Sequence, residues 1–283
     1  MTKIIVDSTC DFSLEEAEKA GLTMLSLHVR FGDEEFLDKR TITNEEFYKK
    51  LVLSKELPST ALVSAGEFLE AYENIPDDDI IVITLSSKLS GTYQAAMVAR
   101  EISGRDNIFV VDSGSASLGT ALIVDKALEL KDSLYAKELY ATLKKYVARL
   151  RIVGVVDTLK YLVKGGRLSA ISGTVGGLLG IKPMLLIKNG DIINIGKPRG
   201  IDNAVKQLDE MLRFRMKIDR REEIIFAHAD NETGLEKLIK AVGRPKNSRI
   251  MSIGSVVGTH TGPGVICAAF FEHPLVGNRI SNN

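Results

Sequence analysis

The sequence predicts an α/β protein, with an N-terminal three-layer domain around a parallel sheet and a C-terminal two-layer domain with a mixed sheet. Three short apolar runs in the first half each end in small polar residues and lead toward a helical pattern: Lys3–Val6, Ile80–Leu85 and Ile108–Val111. Runs of this kind are typical of buried parallel strands. The second half instead joins two apolar runs through Asn189-Gly190, a pair preferred in tight antiparallel turns.

Helical patterns separate the strands of the first half, as expected for repeated strand–helix–strand units. Ser13 with Glu16, and Thr43 with Glu46, have the spacing of capping boxes, in which each side chain bonds to the backbone at the other position. The first box predicts a short helix. The further predicted helices are Glu45–Leu53, Gly66–Asn74, Tyr93–Ile102, Leu118–Leu130 and Ala136–Leu150, and Pro58–Ala61 is predicted as a loop.

The second half mixes strand and helix patterns in an order that favours an α+β arrangement. We place the boundary near Arg151, which gives domains of residues 1–150 and 151–283. In chain order, the predicted elements are a strand at Ile152–Val156, a hairpin of Met184–Ile187 and Ile192–Ile195, a helix from Asp202 to about Met216, a strand at Glu223–Ala227, a helix at Glu232–Val242, and strands at Arg249–Ser255 and Val265–Phe271 around a loop at Val257–Gly264.

The composition narrows the functional classes. Lys+Arg and Asp+Glu are both 37 in 283 residues, and Trp is absent, which argues against a nucleic-acid binder that relies on positive charge or on stacking. Cys10 and Cys267 form no CxxC motif, so we expect free, packed thiols. The four histidines lack metal-site spacing. Asp7 interrupts the first apolar run, so we read no signal peptide and expect a cytoplasmic protein.

The segment Ile80–Ala96 is the strongest candidate for a binding site. It reads as a strand, a loop rich in serine and glycine, and the start of a helix, where unpaired N–H groups and the helix dipole favour anions. Ser90 lies at the expected N-cap, so its hydroxyl serves either the helix or a ligand. Asp7 and Asp112 follow the other two strands, and ligands of open α/β sheets bind at such strand ends. A sugar-phosphate or nucleotide-phosphate ligand is one alternative.

His260, Arg167 and Arg199 each allow a structural and a ligand-binding interpretation. His260 lies in a predicted loop rich in glycine and proline, either as part of a tight turn or beside a ligand. A serine hydrolase that uses Ser90 and His260 is an alternative function, although the GxSxG elbow is absent. Arg167 and Arg199 each lie beside glycine, either as solvated turn residues or as anion ligands.

The stretch Ile171–Ile181 alternates glycines and other small residues with large aliphatic ones and lacks a wide polar face. Interior glycine costs a helix about 1 kcal/mol relative to alanine. The stretch therefore indicates close helix packing, a mobile segment, or a slot in which an apolar group lies against backbone.

Taken together, these motifs resemble the DegV family of bacterial fatty-acid-binding proteins over nearly the whole chain. The matching segments are Lys3–Ser8, Leu85–Tyr93, Tyr161–Ser169, Arg199-Gly200, His228–Glu232 and Thr259–Gly264. The resemblance implies a long-chain fatty acid held between two α/β domains, with its carboxylate in the crevice and its tail in an apolar tunnel. It also implies a binding protein without catalysis or cofactor, a fatty-acid kinase as partner, and transient contact with a membrane.

The resemblance also implies roles for single residues. Ser90 and the Gly91 amide match the cradle for the carboxylate, Thr60 matches a threonine that donates a second hydrogen bond, and His260 matches a histidine near the carboxylate. Arg167 and Arg199 match basic residues near the mouth, where an acyl-phosphate or a kinase needs positive charge. The glycine-rich segment after Ser169 matches the lining of the tail.

One loop departs from the family pattern P-x-T-S-x-P-S. The chain reads Pro58-Ser59-Thr60-Ala61-Leu62-Val63-Ser64, so Ala61 replaces a serine and Val63 a proline. Thr60 and Ser64 are retained, but the loop is more apolar. The sequence does not set the preferred length or unsaturation of the acyl chain.

Overall fold

The computed structural model describes residues 1–167, 171–172 and 180–274. In the first half, the chain forms β1 (Thr2–Asp7), α1 (Leu14–Lys19), β2 (Leu22–Leu25), β3 (His28–Phe31), β4 (Glu34–Leu37), α2 (Asn44–Leu53), β5 (Ser59–Ala61), α3 (Ala65–Glu73), β6 (Asp79–Thr84), α4 (Thr92–Ser103), β7 (Ile108–Asp112), α5 (Leu118–Leu130) and α6 (Ala136–Arg149). In the second half, it forms β8 (Leu150–Val155), α7 (Lys160–Lys164), β9 (Ile171–Ser172), β10 (Met184–Lys188), β11 (Asp191–Gly196), α8 (Ile201–Glu210), β12 (Ile224–His228), α9 (Glu232–Val242), β13 (Ser248–Ser252), α10 (Ser255–Thr261) and β14 (Ile266–Phe271).

The predicted parallel sheet is present in the first half, with strand order β2-β1-β6-β7. β1 pairs in parallel with β2 on one side and with β6 on the other. The strand after β1 is thus added on one side of it and the later strands β6 and β7 on the other. Such a reversal point in the strand order opens a crevice at the carboxyl ends of the strands. Both predicted capping boxes, at Ser13 and at Thr43, are also confirmed.

The second large sheet is mixed, as predicted, and has the order β13-β12-β14-β8-β10-β11-β9 in the described residues. β8 is antiparallel to both β10 and β14, whereas β12 and β13 are parallel. The predicted hairpin joins β10 to β11, and its turn residues Asn189 and Gly190 have φ angles of 51° and 78°. Positive φ at both turn residues explains the Asn-Gly pair. The fold class predicted from the sequence is confirmed.

The prediction of a loop at Pro58–Ala61 is wrong. Ser59–Ala61 is β5, which pairs antiparallel with β3 in a small sheet of order β4-β3-β5 that the sequence analysis did not predict. Thr60 lies opposite Val29 in this pairing. Three residues are too few for an alternating pattern to be visible, and the partner strand lies about 30 residues earlier in the chain.

The prediction of a loop at Val257–Gly264 is also wrong, since Ser255–Thr261 forms α10 and the preceding strand ends at Ser252. Glycine and threonine are poor helix formers, so tertiary contacts must stabilise this helix. The Tyr48 hydroxyl donates to the carbonyl of Ile253 at 3.0 Å, and a Cβ atom at Gly258 would lie 2.6 Å from that hydroxyl. Glycine at 258 therefore lets α10 approach α2 closely.

Helix α5 connects the two halves of the described chain. It contacts β6 of the parallel sheet and β8, β12 and β14 of the mixed sheet, and residues Leu118–Val124 are all buried. Cys10 and Cys267 are buried and unpaired, as expected. The division into domains 1–150 and 151–283 stays a prediction. Most of the glycine-rich stretch Ile171–Ile181 lies outside the described residues.

Candidate functional site

A polar pocket with about 600 Å³ of empty space lies beside the β6–α4 loop, near the crevice at the reversal point of the parallel sheet. It brings together five of the six residues singled out in the sequence: Thr60, Ser90, Gly91, Arg167 and His260. They come from β5, the β6–α4 loop, the end of α7 and the last turn of α10. The other residues that line it are mainly apolar: Leu27, Ala61, Leu62, Leu85, Leu89 and Val256.

Thr60 and His260, which are 200 residues apart in the sequence, are hydrogen-bonded at 2.9 Å between Oγ1 and Nε2. Burial is the main cause that lowers the pKa of His260 to about 4, and the charge of Arg167 lowers it further. The imidazole is therefore neutral at pH 7. Its Nδ1 atom is buried and has no hydrogen-bond partner in the described residues. Either tautomer of the neutral ring is compatible with this hydrogen bond, because the Thr60 hydroxyl can both donate and accept.

Gly165 fixes the position of the His260 ring. A Cβ atom at residue 165 would lie 2.2 Å from His260 Nδ1 and 3.0 Å from the carbonyl oxygen of Tyr161. Any larger residue would displace the ring or the end of α7, because such distances are far below van der Waals contact. The sequence analysis did not predict this role; the adjacent glycines Gly165-Gly166 are the signal that could have pointed to it, because glycine allows a close approach to backbone.

Ser90 lies one residue before the N-cap of α4, the position that the sequence predicted for it. Gly91, not Ser90, is the N-cap of α4 and offers no side chain to the helix. The Ser90 hydroxyl accepts a hydrogen bond from Thr92 N at 3.3 Å and lies 3.0 Å from Thr92 Oγ1. One long backbone bond leaves capacity for a ligand, because a hydroxyl has one donor and two acceptor sites. The prediction that Ser90 is the N-cap of this helix is wrong, and its role as a ligand group stays a prediction.

The two arginines have different environments. Arg167 lines the polar pocket, where Nε donates to the Leu89 carbonyl at 3.0 Å and Nη1 donates to the Gly165 carbonyl at 2.7 Å. No acidic group of the described chain forms an ion pair with it, and burial lowers its pKa. Arg199 is exposed, precedes Gly200 at the start of α8, and does not line the pocket.

The arrangement does not form a serine-hydrolase triad in the described residues. His260 bonds to Thr60 rather than to Ser90, and its Nδ1 has no carboxylate to orient the ring. Asp7 accepts hydrogen bonds from Thr9 N and from Leu85 N, at 3.0 Å and 2.7 Å. Asp112 accepts from Gly114 N at 2.8 Å and from Ser87. These two strand-end carboxylates serve the backbone.

An apolar cavity lies against a neighbouring face of α10. Val256 and His260 face the polar pocket, and the residues one position later, Val257 and Thr261, line the cavity. One short helix therefore forms a wall of both spaces. The remaining residues that line the cavity come from both halves of the chain: Ala116, Ser117, Leu118, Ile152, Gly154, Val156, Leu162, Leu185, Ile187, Ile192, Ile253, Val265 and Cys267.

No group of three or more His, Cys, Asp or Glu side chains in the described residues is placed to hold a metal ion. None of the helices in the described ranges is long and apolar enough to cross a membrane.

Comparison with known proteins gives matches over almost the whole length. A sequence profile described as "uncharacterised protein, DegV family" matches residues 1–273. A fatty acid-binding protein of Thermotoga maritima is 33% identical over 278 residues, which cover 93% of this chain and 95% of that protein. Two solved structures are similar. A DegV lipid-binding protein of T. maritima has a TM-score of 0.82 and 32% identity, and covers 95% of this chain and 98% of its own. A stearic acid-binding protein of Eubacterium ventriosum has a TM-score of 0.84 and 26% identity, with coverage of 96% and 99%.

Proposed function

The chain belongs to the DegV family, and on that premise we propose that it binds a long-chain fatty acid, with the carboxylate in the polar pocket and the acyl tail in the apolar cavity. The observation that carries the proposal is that α10 forms a wall of both spaces, with Val256 and His260 on one face and the residues one position later on the neighbouring face. A fatty acid has one charged end and one long apolar part, so it needs two such spaces next to each other.

The polar pocket holds the carboxylate mainly with neutral donors. When His260 Nε2 donates to Thr60 Oγ1, the Thr60 hydroxyl is free to donate its own proton to a ligand oxygen. The Ser90 hydroxyl and the Gly91 amide supply further donors at the start of α4. Hydrogen bonds to an ionised acceptor are stronger than neutral ones. His260 therefore acts through Thr60 and stays uncharged at neutral pH.

The apolar cavity supplies most of the binding energy. Burial of one methylene group is worth about 0.8 kcal/mol, so about 14 methylenes contribute roughly 11 kcal/mol before the costs of association are subtracted. Ser117 and Thr261 are the polar residues among those that line the cavity, and the hydroxyls of both make hydrogen bonds within the protein.

We extend the proposal to presentation of the bound acid to a fatty-acid kinase. Arg167 carries five N–H donors, of which two bond to backbone carbonyls, so its guanidinium retains donors toward the pocket. A forming acyl-phosphate carries more negative charge than the carboxylate, and a guanidinium is suited to phosphate oxygens. The described residues place no general base beside Ser90, which fits a protein that holds its ligand for another enzyme.

The experiment that tests fatty-acid binding is denaturing mass spectrometry of an organic extract of the purified protein. We expect one long-chain fatty acid per chain. If well-folded protein yields no stoichiometric lipid, and added fatty acids of 14 to 18 carbons do not raise its melting temperature, the proposed function is wrong. Turnover of a chromogenic ester that is lost in Ser90→Ala would instead favour the hydrolase.

A further inference from the structure

The tip of the β10–β11 hairpin covers part of the carboxyl edge of the parallel sheet. Gly190 N donates a hydrogen bond of 2.7 Å to the carbonyl of Gly114, which follows β7. Next to it, Lys88 Nζ and Asp191 Oδ1 form an ion pair at 2.7 Å. We call this hydrogen bond and ion pair the tip contact. It joins the first half of the chain to the second.

The tip contact leaves no space for a larger residue at its centre. A Cβ atom at Gly190 would lie 2.4 Å from Ser86 Oγ and 3.1 Å from Lys88 Cδ, and its φ of 78° is itself unfavourable for other residues. Gly190 thus satisfies two separate demands, the tight turn and the close fit to Ser86. The tip is a fitted contact between two surfaces and not a loose turn in solvent.

The segments that meet at the tip contact form walls of both parts of the proposed binding site. On one side, Lys88 belongs to the loop that carries Ser90. Gly114 precedes Ala116, Ser117 and Leu118, which line the apolar cavity. On the other side, the hairpin supplies three more residues of the cavity wall: Leu185, Ile187 and Ile192.

The tip contact holds these two walls together with few and weak interactions. Its ion pair is about half exposed, with side-chain exposures of 51% for Lys88 and 55% for Asp191, and exposed ion pairs contribute little to stability. The body of the hairpin is held differently, because β10 pairs along its length with β8. The tip can therefore detach while the sheet stays intact.

We propose that the tip contact is a latch on the ligand site: the acyl chain enters and leaves while the tip is detached, and the attached tip retains it. This inference rests on the proposed fatty-acid binding. It assigns a role to Lys88, Asp191 and Gly190, none of which contacts the polar pocket itself. The latch changes the rates of loading and release more than the affinity, because it acts on the route by which the acyl chain enters and leaves and makes no contact with the bound carboxylate.

A reversible cross-link tests the latch directly. The 2.4 Å distance between a Cβ at 190 and Ser86 Oγ brings the Cβ atoms of Ser86→Cys and Gly190→Cys close to the separation of about 3.5–4.5 Å found in disulfides. The native Cys10 and Cys267 are buried and do not compete. The double variant is loaded with cis-parinaric acid, a fluorescent long-chain fatty acid, and oxidised with diamide. Release into acceptor vesicles is then timed before and after reduction.

We expect the oxidised form to release the probe at least tenfold more slowly than the same protein after reduction. Lys88→Ala should release it about threefold faster than the parent. Lys237→Ala is the matched control, because it removes an exposed ion pair of similar length, 2.8 Å to Asp202, between α8 and α9. The control should release the probe at the parent's rate.

Equal release rates in the oxidised and reduced forms overturn the latch, as does a Lys88→Ala rate that equals that of Lys237→Ala. If the double variant does not fold or cross-link, the two lysine variants decide the question alone. A parent protein that does not bind cis-parinaric acid refutes the proposed function and the latch together. Normal binding with equal rates refutes only the latch.

Discussion

Replacement of Ser90 by alanine is the sharpest test of the carboxylate site, because this hydroxyl makes only local contacts in the described protein. Its oxygen accepts one bond from Thr92 N at 3.3 Å and lies 3.0 Å from Thr92 Oγ1. Loss of that long local hydrogen bond should lower the free energy of unfolding by about 1 kcal/mol or less. Binding of a fatty acid should change much more, since the variant loses a hydrogen bond to a charged group.

The expected loss of affinity follows from the charge of the acceptor. A hydrogen bond to a charged group is worth about 1.5–3 kcal/mol, which corresponds to a rise in Kd of roughly tenfold to a hundredfold. The assay is titration of the delipidated parent and variant with palmitic acid, followed by intrinsic or probe fluorescence. Hexadecanol, the alcohol of equal length, should bind to the variant within about threefold of its affinity for the parent, because it offers no charge to stabilise.

Ser87→Ala provides the matched control. Ser87 lies in the same loop, but its hydroxyl donates to Asp112 at 2.5 Å and does not line the polar pocket. Its variant should bind palmitic acid as the parent does. If Ser90→Ala weakens the acid and the alcohol equally, or if Ser87→Ala weakens the acid as much as Ser90→Ala, the serine supports the loop rather than the anion, and the assignment of the carboxylate site is refuted.

Three further predictions concern His260, Gly165 and the two arginines. Since burial lowers the pKa of His260 to about 4, below the unfolded value of about 6.5, the unfolded state takes up a proton that the native state excludes. The free energy of unfolding of the parent should therefore fall by up to about 3 kcal/mol relative to that of His260→Gln as the pH falls from 6.5 to 4. Urea unfolding at pH 7.5, 5.5 and 4 measures this, and the same pH dependence in both proteins would contradict the prediction. Gly165→Ala should displace the His260 ring, lower the free energy of unfolding by about 1–3 kcal/mol and weaken palmitate binding in the fluorescence titration. Gly66→Ala in α3 is the control, because the nearest atom lies 3.9 Å from a new Cβ, and it should bind palmitate as the parent does. Arg167→Ala and Arg199→Ala should each leave palmitate affinity within about threefold but lower acyl-phosphate formation by a cognate fatty-acid kinase at least tenfold, and normal phosphorylation in both would remove the kinase extension.

Sequence reasoning succeeded where the signal is local. Capping boxes at Ser13 and Thr43 depend on residues three positions apart, and the Asn189-Gly190 turn depends on two neighbours. The buried strands β1, β6 and β7 were visible because parallel strands are apolar on both faces. Each of these features is determined by residues that lie within a few positions of one another in the sequence.

The two errors in secondary structure lie at the candidate site, where the signal is not local. Thr60 is in a strand only because β3 offers a partner, and His260 is in a helix only because contacts such as those of Tyr48 hold α10 in place. Thr60 was identified only through the family resemblance, whereas His260 was singled out first from the glycine and proline residues around it, and neither element was predicted. The contact between Thr60 and His260 spans 200 residues, so no window of sequence contains it.

The strand ends show why a pattern of polar residues does not by itself locate a ligand. Asp7, Asp112 and Ser90 all follow parallel strands, and the sequence offered the same argument for each. In the folded chain, both carboxylates are occupied by backbone N–H groups, at Leu85 for Asp7 and at Gly114 for Asp112. A bound carboxylate would also be repelled by these aspartates if they lined its pocket. The crevice therefore uses these acidic residues to stabilise its own loops. The polar pocket is left with hydroxyls, amides and Arg167, which forms no ion pair within the described residues, and groups of this kind suit an anionic ligand.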